Sequence, residues 1–155
     1  HYDRVVQMIC QAVDDGVKVL LDGRGVEVPG RPNGFFVGPT VFDGVGPEMT
    51  IACDEVFGPV VSVLRARDLD QAIEWANASR YGNASSIYTA SGKAAREYKV
   101  RIKGGNVGIN IGVPAPMAYF PFGGMGDSFF GDLHGQAKDG INFFTDRKVV
   151  ITRWV

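Results

Sequence analysis

Cysteine and histidine are scarce: two of each stand among 155 residues. Two cysteines at this length do not make a secreted disulfide framework. Neither a C-x-x-C pair nor an H-E-x-x-H run occurs, so a zinc site has no support. An excess of one charge is also lacking, with 16 basic and 17 acidic residues and a net charge of −1. No electrostatic footprint for nucleic acid or an anionic membrane follows, and neither is expected as a partner. No apolar run approaches the roughly 20 residues that span a bilayer. The opening HYDRVVQMI has no signal-peptide pattern and no initiating Met and runs straight into a helix, which predicts a piece of a longer chain. With no visible leader, the expected compartment is the cytoplasm, the mitochondrial matrix being the alternative.

What is present is ordinary globular material, 45% hydrophobic and 21% charged, enough for one domain or part of one. Val6, Ile9, Cys10 and Val13 share a helical spacing over 4–14, with Asp3 as the expected N-cap. Cys10 on that face reads as a small core hydrophobe. VKVLL (17–21) reads as a strand, the Gly- and Pro-punctuated 22–33 as a surface loop, and FFVGPTVF (35–42) as a further strand. From 60 the pattern becomes regular. VVSVLRA is a strand, and Asp68 caps a helix with Gln71 as capping-box partner. That helix carries Leu69, Ala72, Ile73 and Ala76 as its stripe. SSIYTA (85–90) is a strand, Ser91 caps a helix bearing Ala95, Tyr98 and Ile102, and NVGINI (106–111) is a strand. A βαβαβ run demands a mostly parallel sheet with flanking helices, so the expected fold class is α/β. The closing KVVITRWV carries bulky apolar groups on both sides of a strand, which needs a sheet to lie on, in this chain or in a neighbouring subunit.

The chemistry concentrates at TIACDEVFGPVV (50–61). A carboxylate such as Glu55 can accept from both hydroxyls of a ribose diol. A ring such as Phe57 can pack beside a planar heterocycle while the Gly58-Pro59 turn fixes the backbone. From the residues alone a second reading stays open, a solvated acid beside a core ring, because an aromatic at such spacing usually packs. Cys53 is not expected as a nucleophile, since Asp54 and Glu55 disfavour a thiolate beside them. His134, in a polar Gly-rich loop, is expected in a surface or supporting role. The GGMG of 123–126 lacks the Lys-Ser/Thr ending of a phosphate loop. It reads as a close-packed, backbone-lined loop with Phe122 as a candidate pocket wall.

Taken in order, TVFDGVGPEMTIACDEVFGPVVSV, LDQAIEWANASRYGNASSIYT, GGNVGINIG, PFGGMGDS and GINFFTDRKVV resemble the aldehyde dehydrogenase superfamily over nearly the whole chain. GFFVGPTVF, FPFGGMGDSFFGDLHG, KDGINFFTDRKVVITRW and the LLDGRG loop are most similar to its CoA-acylating, NAD-dependent methylmalonate-semialdehyde branch. The resemblance implies the C-terminal third of such an enzyme. Residues 1–140 would be the later part of the catalytic domain and 141–155 an oligomerisation strand. It implies NAD as cofactor and CoA as co-substrate, a small aldehyde as substrate, and a homo-oligomer formed through 146–155. Glu55 would bind the nicotinamide ribose hydroxyls, Phe57 would contact the nicotinamide side, and Phe122 would lie near the aldehyde pocket. The family's nucleophilic Cys and general-base Glu would lie upstream. Neither Cys10 nor Cys53 matches the nucleophile motif, so no catalytic residue is expected in 1–155 and no activity from it alone. Another NAD(P)-dependent branch, or a non-enzymatic α/β self-association module, are the alternatives. E-x-F-G-P together with P-F-G-G favours the enzyme, since an interaction module needs neither.

Overall fold

A computed structural model describes residues 1–155. The chain folds as two compact units, 1–68 and 69–155.

The first unit opens with helix α1, Tyr2–Asp14. Its buried residues are Val5, Ile9 and Ala12, the stripe beside the expected one. Val6, Cys10 and Val13 are half-buried on its flank. Both stripes are apolar at helical spacing, and packing against the sheet selects the first. Asp3 is not the N-cap: His1 holds that position without a side-chain cap bond, and Asp3 lies in the first turn, where a carboxylate suits the helix dipole. Three backbone bonds close the helix at Gly16, whose φ of +82° suits a residue without a Cβ. Half-buried Cys10 accepts from Arg24 Nη1 at 3.3 Å.

Strands β1 (Lys18–Leu21), β2 (Thr40–Asp43) and β3 (Val60–Val63) form one sheet in that order. β1 and β2 are antiparallel, while β2 and β3 are parallel with Thr40 opposite Val60. The strand expected over 35–42 is confined to β2, because Pro39 has no N–H for a ladder and Gly38 spends its own on Gly23 O at 2.8 Å. The apolar run before Cys53 is a one-turn helix, α2 (Thr50–Cys53), and not a strand. Val5, Ile9, Ala12, Val17, Phe42, Val45 and Ile51 make the core.

The second unit contains α3 (Leu69–Ala78), β4 (Tyr81–Gly82), β5 (Ala84–Ile87), α4 (Gly92–Arg101), β6 (Asn106–Ile109), β7 (Met125–Gly126) and α5 (Ala137–Phe143). α4 starts as expected, with Ser91 Oγ accepting from Ala94 N at 3.2 Å. It carries the chain from β5 to the parallel β6. Ile73, Tyr98 and Ile102 form a small core flanked by Leu69 and Ile87. Within the expected stripe of α3, Ala76 is exposed. β4 pairs with β7 antiparallel.

The fold is therefore mixed α/β. Its two parallel pairs, β2 with β3 and β5 with β6, are longer than the two antiparallel ones, β1 with β2 and β4 with β7. The stretch expected as a strand from 141 is shifted, since Ile141–Phe143 close α5. Residues 146–155 pair with no strand of this chain, and Val149, Val150, Ile151 and Trp154 are exposed. No helix is long and apolar enough to cross a membrane.

Candidate functional site

In the first unit, α2 ends at Cys53 and the chain runs on extended from Asp54. Glu55 is exposed, Val56 is half-buried against the core, and Phe57 is exposed again. The acid and the ring thus project from one loop on either side of an anchoring valine. Phe57 is no core ring, being 75% exposed. Its φ of +53° is a left-handed conformation that bulky side chains rarely adopt, at a cost of about 1–3 kcal/mol.

Helix α1 supplies what holds that conformation. Arg4 Nη2 donates to Glu55 O at 2.6 Å and Nη1 to Val56 O at 2.7 Å. His1 Nε2 donates to Phe57 O at 2.8 Å, and the two rings meet edge-on at 6.1 Å. A Cβ on Gly58 would stand 2.8 Å from Val5 Cγ1, so the glycine lets α1 approach the loop. Downstream, Thr40 N donates to Pro59 O at 2.8 Å and ties the turn to β2. The sequence reading missed Arg4 and His1 altogether. Cys53 is exposed, and its thiol donates to Pro47 O at 3.2 Å.

In the second unit, Phe122 is 42% exposed and exchanges both backbone hydrogen bonds with Gly135, at 2.8 and 2.9 Å. The glycines after it are closely packed, with Gly123 between the His134 ring and the backbone of Gly105. A Cβ on Gly123 would lie 2.0 Å from His134 Cδ2, and one on Gly105 would lie 2.2 Å from Gly123 O. Asn106 Nδ2 donates to Gly123 O at 3.2 Å. His134 stacks on Phe129 at 4.7 Å, and its Nδ1 stands 3.4 Å from Asp139 Oδ2. The histidine expected in a surface or supporting role braces the strip that presents Phe122. Beyond Gly135, Gln136 and Ala137 both have positive φ, at 69° and 50°. No group of three or more His, Cys, Asp or Glu side chains could hold a metal ion.

Residues 1–150 match the aldehyde dehydrogenase family. Malonate-semialdehyde dehydrogenase 1 of Geobacillus kaustophilus (strain HTA426) is 49% identical over 154 residues, which is 99% of this chain and 31% of that protein. Methylmalonate-semialdehyde dehydrogenase of Oceanimonas doudoroffii superposes with a TM-score of 0.97 at 44% identity, over 100% of this chain and 32% of that one. A structure from Sinorhizobium meliloti 1021 complexed with NAD, assigned as a methylmalonate-semialdehyde dehydrogenase, has a TM-score of 0.97 at 42% identity, over 99% of this chain and 31% of that one. The chain spans about a third of the length of the relatives it matches.

Proposed function

Because the chain belongs to the aldehyde dehydrogenase family, we propose that it is the later part of the catalytic domain of an NAD-dependent, CoA-acylating malonate- or methylmalonate-semialdehyde dehydrogenase. The names of its relatives support the branch. The observation that carries the site is the loop at 55–57, which presents a carboxylate and a ring to solvent from a held backbone.

In this reading Glu55 accepts from the two hydroxyls of the nicotinamide ribose, and Phe57 flanks the nicotinamide. NAD, when bound, supplies the hydride acceptor. The whole reaction converts the semialdehyde, NAD and CoA into acyl-CoA, carbon dioxide and NADH. The nucleophilic thiolate belongs to a segment outside 1–155, so these residues position rather than react. Holding the acceptor ring in line with the carbon that gives up hydride is an orientation effect. Phe122, held between Gly135 and the packed glycines, forms a wall of the aldehyde pocket and excludes water from it. Residues 146–155 dock onto another subunit.

Glu55→Gln in the full-length protein tests the assignment. It slows the hydride step about tenfold, the order expected when a charge-assisted acceptor becomes a neutral one, while the fold stays intact. Unchanged NAD binding and an unchanged hydride rate would remove the role. The same reading predicts no NAD-dependent turnover by residues 1–155 alone.

A further inference from the structure

We propose that Arg4 is the positioning residue of the loop at 55–57, setting the directions in which Glu55 and Phe57 project. The proposal rests on the reading that this pair holds the reactive end of the dinucleotide. A peptide unit is planar, so fixing a carbonyl fixes the whole plane. Arg4 grips the carbonyls of Glu55 and Val56 with two arms of one guanidinium, at 2.6 and 2.7 Å. His1 grips the next carbonyl, that of Phe57, at 2.8 Å. Three consecutive peptide planes are thereby held by two side chains of the α1 N-terminal turn.

The consequence falls on the two exposed side chains. Held planes on both sides of Val56 turn that residue inward against the core, so its neighbours face out. The plane between Val56 and Phe57 also sets the left-handed φ of Phe57. Without the grip, a bulky residue relaxes toward negative φ, which swings the ring through a large arc. Arg4 is itself exposed, and both of these hydrogen bonds to the loop go to backbone oxygens. Its rigid planar fork matches two neighbouring acceptors, whereas the ammonium of a lysine is a single mobile donor centre. Arginine at this position is therefore a geometric requirement and not merely a positive charge.

The test uses the full-length enzyme with Arg4→Lys, Arg4→Met, Glu55→Gln and the Arg4→Met/Glu55→Gln pair. Arg4→Met lowers the stopped-flow hydride rate and raises the KM for NAD about tenfold, the scale of a modest displacement at a reacting centre. Arg4→Lys recovers part of that loss. Melting temperature and the KM for the aldehyde stay at wild-type values. The double variant is little worse than Glu55→Gln alone, because both changes disable one device. If Glu55→Gln is impaired while Arg4→Met matches wild type, Arg4 does not position the loop. If Arg4→Met instead lowers the melting temperature and raises both KM values alike, its role is structural and the proposal is overturned. If Glu55→Gln itself has no effect, the reading of the loop fails and the proposal built on it fails with it.

Discussion

Asp43 and Arg65 are joined by a two-pronged ion pair, with Nε donating to Oδ1 at 2.8 Å and Nη2 to Oδ2 at 2.9 Å. Asp43 ends β2 opposite Val63, so the pair ties the end of one parallel strand to the chain leaving the next. The Arg65 hydrogen bonds hold the Asp43 carboxyl below its ordinary range, with a smaller pull from Lys18. Arg24 does the same to Asp22, lowering it from 3.8 to about 2. A carboxyl depressed in the folded state contributes stability above its ordinary value and loses it as pH falls through the folded one. The melting temperature of the protein therefore drops between pH 4 and pH 2, the window set by Asp22. Asp22→Asn and Asp43→Asn each make that drop shallower, which melting curves taken across this range would read directly. A drop as steep in both variants as in wild type would show that other carboxyls govern it.

Thr40 is fully buried, and its hydroxyl accepts from Gly23 N at 3.0 Å. The two backbones abut so closely there that a Cβ on Gly23 would lie 1.9 Å from Gly38 O. Thr40→Val keeps the shape and removes the acceptor. A buried N–H left unpaired costs about 1–3 kcal/mol. We expect a lower melting temperature together with faster hydrogen exchange at the Gly23 amide. Unaltered protection of that amide would mean that another group satisfies it.

The parts of this fold that were legible in the sequence are those written in local chemistry. The Ser91 cap and the βαβ crossover over 84–109 follow from neighbouring side chains, whereas the residues alone left Phe57 open between a core ring and an exposed one, because an aromatic at such spacing usually packs. α2 was missed because four residues are too few for a period to show. α5 was missed because it starts from two residues of positive φ and carries Gly140 inside it. β4 and β7 are two-residue strands set by a long-range pairing. The grip of Arg4 was illegible for a different reason. Its partners are backbone carbonyls 51 and 52 residues away, and every residue type carries a carbonyl, so no spacing or composition marks the contact.

The proposed subunit contact can be tested through the terminal segment. Val149, Ile151 and Val155 alternate with Val150 and Trp154, and all five are exposed. No strand of this chain pairs with them. An extended apolar segment with open backbone donors and acceptors is suited to adding to a sheet edge. Removing residues 146–155 from the full-length protein should reduce its mass in light scattering to that of a smaller assembly. Ile151→Pro should act in the same direction with a single change, because it deletes an N–H that a ladder needs. Ile151→Val keeps the donor and the apolar surface and should leave the assembly as it was. If the truncated protein keeps the mass of the intact one, the subunits are held elsewhere and 146–155 is not the docking element.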